Sequence, residues 1–325
     1  MRRAAVLALC LTTAAGAAAP GSASEVTGPA GTLMAFACEA GGQWDLFAWD
    51  PFGARPPRRL TSTPLDELKP SLAPDRSRVV YADSGGHLWA LELAGGEPRR
   101  LTEDGEDNLF LQPAAAPGGR SVMAARRYER SQDDTDLAIR ELPGAAGDDP
   151  EAEPPVYGPA WETLAGDRPT RVLPMVSSQF SPAWAPDGRR FAFTNLHARW
   201  TGSIVSEIWE ARVDHSYVRQ LTLIGAFCDE PAFSPSGTEV AFSCDHPDQY
   251  EIYAVDVRSR EVRRLTEHPA SDQDPVYSPD GRFVAFVSTR SGHPAIHLLD
   301  LGAGTISELR PFSGEPHACR APDWR

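Results

Sequence analysis

"SPDGRFVAFVSTRSGHPAIHLLDL", residues 278–301, holds a turn, an alternating run, a second turn signal and another alternating run. Pro279 presets φ, Asp280 bonds nearby backbone and Gly281 accepts positive φ, so "PDG" reads as a tight turn. "RFVAFVS" and "AIHLLDL" have the period and residue types of strands. The phrase recurs. Aligned on the proline of PxxSPDG it starts at Pro70, Pro113, Pro182, Pro231 and Pro275, at intervals of 43, 69, 49 and 44 residues, and 47 residues further on Pro322 opens a truncated copy. Third strands read "DLFAWD", "HLWALEL", "DLAIREL", "EIWEARVD", "EIYAVDV" and "AIHLLDL", and fourth strands centre on Leu60, Leu101, Leu173, Leu221, Leu265 and Leu309.

Each unit is therefore a four-stranded antiparallel meander, and there are six. One such meander cannot bury both faces alone, whereas six packed radially bury every sheet against its neighbours. The spacing also matches propeller blades, since solenoid repeats of similar length are mostly helical. The fold class predicted is all-β, a six-bladed β-propeller over residues 31–325. Its first unit, "GTLMAFACEA" (31–40), begins with the second strand, and the terminal "CRAPDWR" (319–325) is a first strand without a blade. The C-terminal strand is expected to close the ring by joining the N-terminal blade.

Superposing this composite blade on the fifth unit aligns "GTLMAFAC" with "GTEVAFSC" and "CRAP" with "CDEP". Four cysteines permit three pairings. The superposition favours Cys38 with Cys319 and Cys228 with Cys244, each at one end of an antiparallel pair; unpaired buried thiols are the alternative. No CxxC is present to suggest a structural metal.

Composition agrees with many short elements joined by turns: 325 residues with 30 Pro, 27 Gly and 9% aromatics. A net charge of -14 argues against sequence-independent binding to nucleic acid or anionic lipid. Arg2 and Arg3 precede an apolar run from Ala4 to Ala19 and small residues through Ser24, the pattern of a cleaved secretory signal over 1–24, with 25–30 as a short linker. The expected location is periplasmic or secreted; the alternative is a lipoprotein anchored at Cys10. No later stretch approaches the roughly 20 apolar residues of a membrane span.

"SPDGRFVAFVSTRSG", "WAPDGRRFAF" and the recurrent "RRLT" resemble the repeats of the TolB-like β-propeller family, which are similar to those in the propellers of prolyl-oligopeptidase relatives. The resemblance covers residues 31–325 and implies an exported envelope scaffold that binds a protein or lipoprotein partner. TolB carries an α/β domain before its propeller, and no counterpart is expected here.

No GxSxG or HExxH appears, so no catalytic residue is assigned and no cofactor or metal is expected. Aligned after the second strand, the units place Tyr128, His197, His246 and Arg290 at equivalent positions, on the face that also carries Asp229, Glu230, Asp272 and Asp274. Three readings apply: a solvated rim, a protein or ligand contact, and a metal site of the kind held by pectate-fragment lyases with similar propellers. The alternative function is accordingly a metal-dependent polysaccharide-fragment lyase or another small-ligand site at the channel mouth. Unit four adds "LHARWTGSIVS" (196–206), where Arg199 and Trp200 have the composition of an interface anchor. Unit three carries an acidic, Pro- and Gly-rich insertion over 143–169 with Tyr157 and Trp161, read as a loop. The protein is expected to be a monomer.

Overall fold

Residues 31–102, 108–128, 135–142, 162–163, 177–199, 201–214, 216–247, 249–313 and 317–325 are described by the computed structural model. They form twenty-four strands in six four-stranded antiparallel sheets. Blade 1 contains β1 (Met34–Ala40), β2 (Gln43–Trp49) and β3 (Arg58–Arg59). Blade 2 contains β4 (Glu67–Leu72), β5 (Arg78–Asp83), β6 (Leu88–Glu92) and β7 (Arg99–Arg100). Blade 3 contains β8 (Asn108–Ala115), β9 (Ser121–Tyr128), β10 (Thr135–Glu141) and β11 (Glu162–Thr163). Blade 4 contains β12 (Ser177–Trp184), β13 (Arg190–Ala198), β14 (Ile204–Arg212) and β15 (Val218–Gln220). Blade 5 contains β16 (Cys228–Phe233), β17 (Glu239–Asp245), β18 (Tyr250–Asp256) and β19 (Val262–Arg264). Blade 6 contains β20 (Asp272–Tyr277), β21 (Phe283–Ser288), β22 (Ala295–Asp300) and β23 (Thr305–Glu308).

The last strand, β24 (Cys319–Trp324), pairs with β1 and completes blade 1, so the ring closes as the truncated repeat predicts. Cys38 stands directly opposite Cys319 in that pairing, and Cys228 opposite Cys244 in blade 5. Both pairs are disulfide-bonded, with Cα separations of 4.1 and 4.0 Å.

Six apolar clusters hold the ring together, one at each junction between neighbouring blades. Leu72, Val79 and Tyr81 of blade 2 pack on Ala35, Ala37 and Leu46 of blade 1. At the closing junction, Met34, Phe36 and Trp324 of blade 1 pack on Phe283, Ala285 and Ile296 of blade 6. Ala35, Ala192, Ala241 and Ala285 occupy one position of the second strand in four blades, and all are fully buried. Small side chains there let the sheets converge towards the axis without overpacking.

The "LT" that recurs at the fourth strands has a structural explanation. The Thr61, Thr222 and Thr266 hydroxyls accept from the N–H groups of Leu46, Ile208 and Ile252 and donate to the buried carboxylates of Glu67, Glu207 and Glu251. Each clasp satisfies buried polar groups where a very short fourth strand makes few ladder bonds.

Blade 3 departs from expectation at its fourth strand. Glu162–Thr163 pair with Ala138 and Ile139 of β10, so the strand falls inside the segment read as an insertion and ahead of Leu173. The edge of β10 takes Glu162 and Thr163, which follow the Pro- and Gly-rich run. Leu173, Tyr157, Trp161 and the first 30 residues, Cys10 among them, lie outside the described residues.

Candidate functional site

The ring has two ends. One carries the PDG turns and the turns between third and fourth strands; the other, here the loop face, carries the connections between second and third strands and those from blade to blade. Between them runs the channel, walled by β4, β8, β12, β16, β20 and β24.

One local irregularity shapes that wall in every blade. The residue before each repeat proline has positive φ: Lys69 (49°), Gln112 (50°), Ser181 (49°), Glu230 (58°), Asp274 (53°) and Ala321 (51°). Pairing with the neighbouring strand slips at the same place in all six blades. A proline has no N–H to give the ladder, so a bulge is where a first strand tolerates it. Non-glycine residues adopt this conformation at a cost of about 1 kcal/mol each. The six residues ring the channel and line a cavity of about 160 Å3, together with the prolines that follow them.

Three of the six close on one another. The Lys69 ammonium of blade 2 donates to Glu230 Oε1 of blade 5 at 2.7 Å and to Asp274 Oδ1 of blade 6. Glu230 Oε2 accepts from the Asp274 backbone N–H at 2.8 Å and from the Ser243 hydroxyl at 3.1 Å. Asp229 Oδ1 accepts from Glu230 N–H at 2.6 Å and from the Thr194 hydroxyl at 2.8 Å. On the other side of the channel, Gln112 Oε1 accepts from Ser181 N–H, and Asp323 pairs with Arg325 at 3.2 Å.

Three carboxylates around one ammonium do not ionise alike. Burial, and then the charge of Glu230, pushes Asp274 up to about 7 and Asp229 up to about 6. Burial would also raise Glu230, but the charge of Lys69 and hydrogen bonds from the Asp274 side chain, Lys69 and the Asp274 N–H outweigh it and hold that carboxyl at about 2. Lys69 is itself raised: burial opposes its charge, and the carboxylates of Asp274 and Glu230 more than restore it.

The residues expected on the rim divide. Asp274 lies in the channel cluster and Asp229 beside it, so neither stands free at the rim. Arg290 is ion-paired at 2.6 Å with the fully buried Asp272, bonds Ser288 Oγ and covers the Phe286 ring, leaving 16% of its side chain exposed. Its charge is spent on the fold. His197 Nδ1 lies 3.3 Å from the Asn195 carbonyl. His246 is exposed, and its carbonyl accepts from the Tyr253 hydroxyl. Tyr128 ends β9 opposite Asn108; its side chain and Trp200 lie outside the described residues.

What the sequence reading missed on this face is apolar. Leu223 (78% exposed), Ile204 (57%) and Phe227 (43%) are among the exposed large hydrophobics. They lie on adjacent backbone: Phe227 bridges Ser206 in parallel, and Ser206 follows Ile204 by two residues on β14. In the connection from blade 4 to blade 5, Ile224 and Ala226 pack on the core while Leu223 and Phe227 face outward. Arg199 borders the patch: its guanidinium lies over Gly225, whose φ of +84° favours glycine.

A family model, the TolB beta propeller domain, matches residues 162–320. The crystal structure of TolB from Acinetobacter baumannii superposes with a TM-score of 0.68 and 17% identity, covering 90% of this chain and 66% of that one. A TolB-type protein from Agrobacterium tumefaciens superposes at 0.63 with 20% identity, covering 89% of this chain and 97% of that one. The chain is a TolB-like β-propeller. A curated relative, hydrazine synthase subunit alpha from Kuenenia stuttgartiensis, is 29% identical over 107 residues, 31% of this chain, which spans 13% of that relative's length.

For a TolB-like propeller the channel residues had a readable signal. The column before the repeat proline holds Lys, Gln, Ser, Glu, Asp and Ala, five polar residues of six at one register position. Among the described residues no group of three His, Cys, Asp or Glu is placed to hold a metal ion, and no helix is long and apolar enough to cross a membrane.

Proposed function

We propose that this chain is an exported, non-enzymatic protein-binding scaffold of the bacterial envelope, monomeric itself, whose protein or lipoprotein partner docks on the loop face where blade 4 meets blade 5. The observation that carries the reading is the patch of Ile204, Leu223 and Phe227, which burial in a partner would remove from water. Its composition, large apolar side chains bordered by an arginine, is that of an interface centre. Export is supported by the signal-like first 24 residues and by two disulfides, which suit an oxidising compartment.

The test compares immobilised wild type with a Leu223→Ser/Phe227→Ser variant for retention of envelope proteins. A partner held by the wild type should be lost from the variant at least tenfold, while the melting temperature stays nearly unchanged, because exposed positions shift stability by only about 0.5 kcal/mol each. Equal retention by both proteins contradicts the assignment.

A further inference from the structure

The Lys69 cluster joins blades that are distant in sequence and across the ring from each other. The blades follow one another around the axis in chain order, so blade 2 faces blade 5 over the channel, with blade 6 beside it. Lys69 and Glu230 are 161 residues apart, and Lys69 and Asp274 are 205 apart. Apolar clusters bind each blade only to its neighbours. This ionic contact ties together blades that share no apolar junction.

The charges do not balance. Lys69 reaches in from β4, Asp229 and Glu230 from β16 and Asp274 from β20. From β18, the Tyr250 phenol faces the same group and is itself raised by burial and then by Asp245, Asp229 and Glu230. On β24, Asp323 is matched by Arg325. At the start of β20, Asp272 is matched by Arg290. Gln112 and Ser181 complete the wall and are neutral. One ammonium is left among three carboxylates in a confined space, where like charges a few ångströms apart cannot all persist.

We propose that Lys69, Glu230, Asp274 and Asp229 form a proton-loaded brace across the channel, neutral in mild acid and doubly negative in mild base, so that pH sets how firmly blade 2 is tied to blades 5 and 6. In acid, Lys69 pairs with Glu230 while Asp274 and Asp229 hold protons. Between about pH 6 and 7 both carboxyls ionise in turn. The sign follows from linkage. For a carboxyl raised in the fold, the native state binds more protons than the unfolded chain, so stability falls as pH rises from the unfolded value of 3.8 through the raised one. Glu230 acts oppositely, but its contribution is lost only towards pH 2, below this window. From pH 5 to 8 the brace therefore weakens the fold as it sheds protons.

The experiment measures melting temperature from pH 5 to 8 for the wild type, Asp274→Asn and Lys69→Met, with infrared absorption of protonated carboxyl over the same range. Asp274→Asn imitates the protonated side chain. It should melt at or above the wild type at pH 8, converge with it at pH 5, and lack part of the protonated-carboxyl band that the wild type loses between pH 6 and 7. Lys69→Met removes the counter-charge and should lose more stability at pH 8 than at pH 5. A gap between wild type and Asp274→Asn that is the same at every pH, or no carboxyl band titrating above pH 5.5, overturns the proposal. So does a Lys69→Met protein that melts with the wild type throughout. Because the infrared band is read on the folded wild type, a variant that fails to fold leaves the test intact.

Discussion

The channel and the patch where blade 4 meets blade 5 differ in what they leave unsatisfied. In the channel the polar side chains serve one another: Lys69 with Glu230 and Asp274, Gln112 with Ser181, Asp323 with Arg325. At the patch, Ile204, Leu223 and Phe227 keep 57, 78 and 43% of their surface exposed among the described residues. A dense group of charges near the axis is thus a part of the ring's own construction, whereas the apolar rim is surface that association would stabilise. Binding and bracing are assigned to different places on that ground.

The largest effect concerns the ring on which the channel depends. Cys38–Cys319 closes a stretch of 281 residues and Cys228–Cys244 one of 16. The chain-entropy estimate is about 5–6 kcal/mol for the first and about 3 for the second. Cys38→Ser/Cys319→Ser should therefore lower the melting temperature more than Cys228→Ser/Cys244→Ser, and reduction should match or exceed both. Equal losses in calorimetry would mean that closure adds nothing beyond a local staple.

Next is Arg290, which sits on the loop face but belongs with the self-satisfied groups. Arg290→Ala leaves the fully buried Asp272 without its counter-charge, an arrangement that costs about 3 kcal/mol. Chemical denaturation should show that loss, and the folded fraction should bind partner as the wild type does. Preserved stability with lost binding would move Arg290 to the rim and blur the distinction between the two regions. The patch substitutions lie at the small end for stability and the large end for binding.

Sequence made the blades legible because each carries its own turn chemistry and a strand period that the fold must obey. Closure was legible for the same reason: "CRAPDWR" is a first strand lacking its blade, and superposing it on "CDEP" brought Cys319 opposite Cys38. Contacts across the ring were not. Nothing local to Lys69 announces a partner 161 or 205 residues away, and only the polar column before the repeat prolines hinted that those side chains face one space. Arg290 is grouped with the rim by sequence because a position after the second strand reads the same whether its charge meets water or a buried aspartate. Leu223 and Phe227 escaped notice because a blade-to-blade connection has no period against which an outward apolar residue stands out.

Docking on the loop face between blades 4 and 5 would bring a partner within reach of Leu223. A photo-crosslinking residue placed at Leu223, at the channel residue Gln112, or at Val218 on the outer edge of blade 4 tests it in one measurement on envelope fractions. We expect a discrete protein adduct from position 223 and none from 112 or 218. Adducts from 112 or 218 with none from 223 would contradict the assignment and return binding to the channel or the blade edge.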